Sequence, residues 1–148
     1  MQFIKTDGGR AAAGFVNKHV AGDCVARAIC IVTQLPYTIV YDRLCIGNAT
    51  QRSSKHCVTK GMYTASHGIY TKRKWFQDYM TELGFVWTPT MLVGSGCKIH
   101  LRSEELPKGR LVVSCSKHLT AVIDGVLYDM YDCSREGTRC VYGYWLLK

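Results

Sequence analysis

The chain has 148 residues, of which 47% are hydrophobic and 20% charged. That size and balance suit one folded domain and exclude a disordered or collagen-like chain. The formal charge is +8, which points toward acidic partners without bearing on the fold.

The opening Met1-Gln-Phe-Ile-Lys-Thr-Asp lacks the apolar run of a secretory signal. The longest apolar stretch, about Val25 to Leu35, is interrupted by Arg27, Thr33 and Gln34 and is too short to span a bilayer. These features predict a cytoplasmic protein with no membrane partner. Its eight cysteines, at 24, 30, 45, 57, 97, 115, 133 and 140, are then expected to be mostly reduced. With three prolines, no repeat and no low-complexity tract, a single domain over 1–148 is expected.

Residues 5–22 read as a glycine-containing loop. A helix is predicted from Gly22-Asp-Cys24 onward, with Asp23 as its N-cap and Val25, Ala28, Ile29 and Val32 on one face. Pro36 ends that helix and opens a second, whose buried stripe is Tyr37, Val40, Tyr41 and Leu44. Residues 46–70 are polar, basic and irregular, and read as a surface loop. From Arg43 to Lys74 there are seven Lys or Arg and no Asp or Glu. That segment could meet an acidic partner, either nucleic acid or protein, although a solvated surface is the simpler reading. A third helix is predicted over about 71–83, capped by Thr71 and ended by Gly84, with Trp75, Phe76, Tyr79, Met80 and Leu83 inward.

The remainder is strand-like. Phe85 to Trp87 is a short strand, residues 88–102 a loop, and 103–107 a brief helical turn. Strands follow at 110–114, 118–123, 126–131 and 139–147, and Asp124-Gly125 is a two-residue hairpin turn. Helices first and antiparallel strands afterward predict an α+β domain, with N-terminal helices packed on a C-terminal antiparallel β-sheet.

One pair of residues carries chemistry in this order. Cys24 sits at a helix start, where free N–H groups and the helix dipole favour a thiolate. His118 heads a strand, a rigid mount for a base. With a two-residue turn at 124–125, His118 faces Tyr131, and strand alternation puts Asp129 on the histidine's face as a diagonal neighbour. Asp132 then points away unless the strand has already ended.

Gly22-Asp-Cys24 before a helix, Lys117-His-Leu-Thr-Ala-Val-Ile123, and Tyr128-Asp-Met-Tyr-Asp132 together resemble the papain-like cysteine peptidases and their bacterial branches. With Asp7-Gly-Gly-Arg-Ala-Ala-Ala-Gly-Phe15, nearly the whole chain is similar to a group of phage and bacterial papain-like proteins. The resemblance implies a papain-like fold and a cysteine hydrolase, foremost a peptidase, acting on a protein or peptide in the host cytoplasm if phage-encoded. It implies Cys24 as nucleophile, His118 as base, and an acid just past the strand end. Asp132 is favoured there, with Asp129 the alternative. It implies neither a metal nor an organic cofactor. The family carries a glutamine six residues before its nucleophile, whose amide helps hold the oxyanion. Lys18 stands at that place, and Asn17, one residue upstream, is the nearest amide.

Three other readings stay open. The fold could be a weakly active binding module for a host protein or nucleic acid, or an acyltransferase of the transglutaminase type. Cys97, His100, Cys133 and Cys140 could form a zinc set, although paired Cys-x-x-Cys knuckles are absent. His19, and His56 beside Cys57, offer weaker candidates for a site.

Overall fold

The computed structural model describes residues 1–15, 23–50, 68–92 and 94–148. Three helices and eight strands follow one another as β1 (Gln2–Lys5), α1 (Cys24–Thr33), α2 (Tyr37–Thr50), α3 (Lys74–Glu82), β2 (Phe85–Pro89), β3 (Ile99–His100), β4 (Arg110–Cys115), β5 (His118–Ile123), β6 (Val126–Asp129), β7 (Cys140–Val141) and β8 (Gly143–Leu147). The architecture is α+β, as expected.

Helix α1 buries Val25, Ala28, Ile29 and Val32, the stripe its 3.6-residue period places on one side. It stops where Gln34 turns left-handed at φ 63°, its N–H returning to the Cys30 carbonyl at 2.8 Å. The residue before Pro36 is barred from helical geometry, so the chain restarts as α2. Helix α2 runs on to Thr50, past the boundary expected at 46. Helix α3 begins at Lys74 rather than near Thr71. Its N-cap position is Arg73, with no side-chain cap.

The main sheet has the order β1-β6-β5-β4-β8-β2. It is mixed rather than antiparallel, because β1 joins β6 in parallel, with Phe3 opposite Leu127. The sequence reading left β1 unassigned. It has four residues, mostly exposed, at the sheet edge, so little apolar alternation marks it. Two short strands missed within expected loop and strand, β3 and β7, pair as a separate ribbon. The expected strand at 139–147 is accordingly split, with Tyr142 between β7 and β8.

Helix α1 lies mainly on β5, flanked by β4 and β6. One core cluster joins Ile29, Val32, Val40, Leu44, Phe76 and Met80 to Val112, Leu119 and Ala121 of the sheet. Leu111, Val113, Val122 and Leu127 pack with Leu101, Cys133 and Val141 in a second. Alternate residues of β4 therefore serve opposite clusters, as a strand's period of two requires. Each fully buried Ile, Leu or Phe contributes roughly 1.5–3 kcal/mol. The exposed pairs Lys74–Asp78 and Arg43–Glu82 contribute about 0–1 kcal/mol each. The clusters, not the surface charges, hold the domain together.

Among the described residues, no helix is long and apolar enough to cross a membrane.

Candidate active site

Two hairpins set the geometry. At the β5–β6 turn, Asp124 and Gly125 both take positive φ, 49° and 84°. This is the primed turn whose twist matches the strands and which makes glycine the natural second residue. It fixes Ala121 opposite Tyr128 and Val122 opposite Leu127. Continuing that register puts Thr120 opposite Asp129 and His118 diagonal to it on the same face. At the β4–β5 turn, Cys115 pairs with His118 across Ser116-Lys117, with Lys117 at φ 54°. A non-glycine residue there costs about 1–2 kcal/mol. The buried Arg139 braces this turn, donating to the Ser116 carbonyl at 2.7 Å and to the Cys133 carbonyl at 3.4 Å.

Asp129 is 3% exposed and gathers donors from every side. Its Oδ2 lies 2.7 Å from His118 Nε2 and accepts the Thr120 hydroxyl at 2.7 Å. The Cys133 thiol reaches the same oxygen at 3.6 Å. Its Oδ1 accepts the Met130 N–H at 2.7 Å and faces Arg27 Nη2 at 3.5 Å. Burial alone would raise its pKa, but His118 and Thr120 outweigh that and hold it below the usual carboxylate range.

The preference for Asp132 as the acid beside His118 is not what the structure places there. Asp132 is exposed, and its carboxylate accepts the Ser134 N–H at 3.0 Å and hydroxyl at 2.6 Å. Those bonds lower its pKa. Alternation along the strand persists through Asp129, and the chain then turns within 132–134, so Asp132 caps its own turn.

Cys24 opens α1 and is half-buried. Burial opposes its ionisation. The hydrogen bond with His118, the Leu119 backbone N–H and the nearby Arg27 charge outweigh burial and lower the thiol pKa. Burial would depress the His118 pKa, but its bonds to Asp129, Cys133 and Cys24 overcome that and push it up to about 12. Together these shifts favour a thiolate–imidazolium pair. Tyr131, 52% exposed, lies against the imidazole with ring centroids 5.6 Å apart.

Asp23 stands at the N-cap position of α1 but makes no capping bond. Its fully buried carboxylate instead accepts from Arg27, from Tyr37 and from Arg10, the last at 3.1 Å. Two guanidinium groups and a phenol hydroxyl already take its oxygens. Arg27, Thr120, Cys133 and Arg139 were not anticipated as part of the site. Arg27 left a signal: a cation on the buried side of an apolar helix requires a buried carboxylate, and Asp23 lies one turn before it.

Other expected positions separate. Asn17, Lys18 and His19 lie outside the described residues, as do His56 and Cys57. The expected zinc set does not assemble. Cys97 and Cys140 form a disulfide, which also corrects the expectation of reduced thiols at that pair. His100 Nδ1 lies 3.2 Å from Glu105, and Cys133 belongs with Asp129. The ligand atoms of His118, Asp129 and Cys133 do lie within 4.8 Å of one another. The 2.7 Å between His118 Nε2 and Asp129 Oδ2 is a hydrogen-bond distance. Tetrahedral zinc would spread two such ligands to about 3.3 Å. In the basic segment, Arg43 lies over the Tyr79 ring and Arg73 over Tyr70, while Lys74 pairs with Asp78 at 2.7 Å. These cations engage the chain's own groups.

Searches for a matching family model, a curated relative and a similar solved structure each found none for this chain.

Proposed function

We propose that the protein is a papain-like cysteine hydrolase, foremost a peptidase, using Cys24, His118 and Asp129. The observation that carries this reading is the buried His118–Asp129 pair, 2.7 Å from Nε2 to Oδ2, with Cys24 at the start of α1 near enough for the imidazole to lower its pKa. A nucleophile, a base and an orienting acid in contact are what covalent acyl transfer needs.

The Cys24 thiolate attacks the carbonyl carbon of a peptide or isopeptide bond. Protonated His118 donates its proton to the departing amine, leaving a thioester on Cys24. Neutral His118 then takes a proton from water, and the resulting hydroxide attacks the thioester. The acid product leaves, Cys24 departs as thiolate, and the thiolate–imidazolium pair is restored. Asp129 holds the imidazole in one orientation and stabilises its protonated form. The Cys24 backbone N–H, at the helix start where no intrahelical acceptor is available, is a candidate donor to the oxyanion.

Wild-type protein and C24A are to be incubated in parallel in cell lysate, and new protein N-termini mapped by mass spectrometry. The expected outcome is a set of termini present only with wild type. Identical profiles would overturn the peptidase reading.

A further inference from the structure

Arg27 has no role in the steps above, yet it is a buried cation beside the site. It lies one helical turn after Cys24, and its residue is 8% exposed. One terminal nitrogen donates to Asp23 Oδ1, the other faces Asp129 Oδ1 at 3.5 Å, and Nε has no partner. Asp23 and Asp129 are 0% and 3% exposed, so both carboxylates share this cation inside the protein. Gly8 and Arg10 of the N-terminal segment lie against the network. Arg10 reaches Asp23 at 3.1 Å, and a side chain at Gly8 would meet the Arg27 carbonyl oxygen at 3.0 Å.

We propose that Arg27 is a positioning residue for the Cys24–His118–Asp129 site: its two-armed guanidinium ties the residue preceding the nucleophile to the acid behind the base, and supplies the positive charge beside the Cys24 sulfur. The inference rests on the reading of Cys24 as an activated thiol. A fork bridging two carboxylates at fixed separation is a task for arginine rather than lysine. The titratable and charged groups around the network are Arg10 from the N-terminal segment, Asp23 just before α1, Cys30 on α1 within the field of Asp23, Tyr37 from α2, His118 from β5, Asp129 from β6 and Cys133 beyond it. Only Arg10 and Arg27 are permanent cations among them. Arg10 binds Asp23, so among the described residues the permanent charge facing Asp129 is that of Arg27, beside the titrating His118.

The test is the pH profile of Cys24 alkylation by iodoacetamide, read by peptide mass spectrometry in wild type, R27K and R27Q, with folding followed by circular dichroism. In R27Q two buried carboxylates lose their shared cation. The double variant D23N/R27Q removes one of them and serves if R27Q does not fold. A wild-type midpoint below that of a free thiol is expected. The neutral variants should raise it by about one pH unit, cutting the rate at pH 6 about tenfold. R27K keeps the charge without the fork and should restore only part of the shift. A general loss of packing would not be rescued by charge in this way. A depressed wild-type midpoint that the neutral variants leave in place would overturn this inference alone. An ordinary wild-type midpoint would overturn it together with the activated-thiol reading.

Discussion

The two ends of helix α1 set one kind of side chain in opposite states. Cys24 and Cys30 lie six residues apart on the same ten-residue helix, and burial pushes the pKa of both upward. At Cys30 nothing opposes it, the Asp23 charge adds to it, and the thiol rises to about 12. Cys115, inside the second core cluster, rises to about 11, again chiefly by burial. At Cys24 an imidazole, a strand N–H and a buried arginine reverse the sign. Burial therefore makes a thiol inert by default. Reactivity has to be built from groups on other elements, here His118 and Leu119 from β5.

The largest test of this contrast separates the two aspartates. D129N removes the carboxylate behind His118, and turnover should fall about 10²–10⁴-fold. D132N breaks only a local turn and should stay within about twofold. Equal losses in steady-state assays would contradict the placement of Asp129. Next is the Cys97–Cys140 bridge, which spans a sequence separation of 43. Opening it with C140S should cost about 4 kcal/mol in denaturant unfolding, from the freedom regained by the unfolded chain. The preference of iodoacetamide for Cys24 should survive, because the bridge shares no residue with the site. Loss of that preference in folded C140S would tie the two regions together.

T120V comes third. It deletes the 2.7 Å hydroxyl bond to Asp129 and should cost about 1.5–3 kcal/mol at neutral pH. The Asp129 pKa is lowered on folding, so its stabilisation is present above the ordinary value of 3.8 and is lost as pH falls through the folded value. T120V should move that acid limb upward, as read by unfolding at a series of pH values. The His118 contribution runs the other way. It is full below 6.5 and disappears as pH rises through about 12. Smallest is C30A, which removes a buried sulfur six residues after Cys24 on α1. It should lower stability by about 1 kcal/mol and leave Cys24 labelling unchanged.

The order of helices and strands was legible because it rests on local signals, whereas the pairing of Cys24 with His118 came from the resemblance to the papain-like peptidases. Those signals are a helix start, a β-branched run, and an Asp-Gly turn that sets the strand register. That same register already favoured Asp129, and the resemblance to a family with its acid beyond the strand end led away from it. What stayed hidden depends on contacts between distant segments. Strand β1 is short and exposed and gains its place only by pairing with β6. The Cys97–Cys140 bridge joins a loop to a strand whose register no local pattern announces. Arg27 was visible as a break in an apolar run, but its bond to Asp129 spans 102 positions.

The central claim is that Cys24 is an activated thiol while Cys30 and Cys115 are not. One measurement tests it directly: the iodoacetamide labelling rate of each cysteine in folded wild-type protein from pH 5 to 10, resolved by peptide mass spectrometry. The account predicts that Cys24 is labelled fastest at pH 6, with a rate that plateaus below the ordinary thiol range, while Cys30 and Cys115 stay slow until strongly alkaline pH. Labelling of Cys24 that is no faster than theirs at pH 6, or that rises only near pH 9, would contradict it.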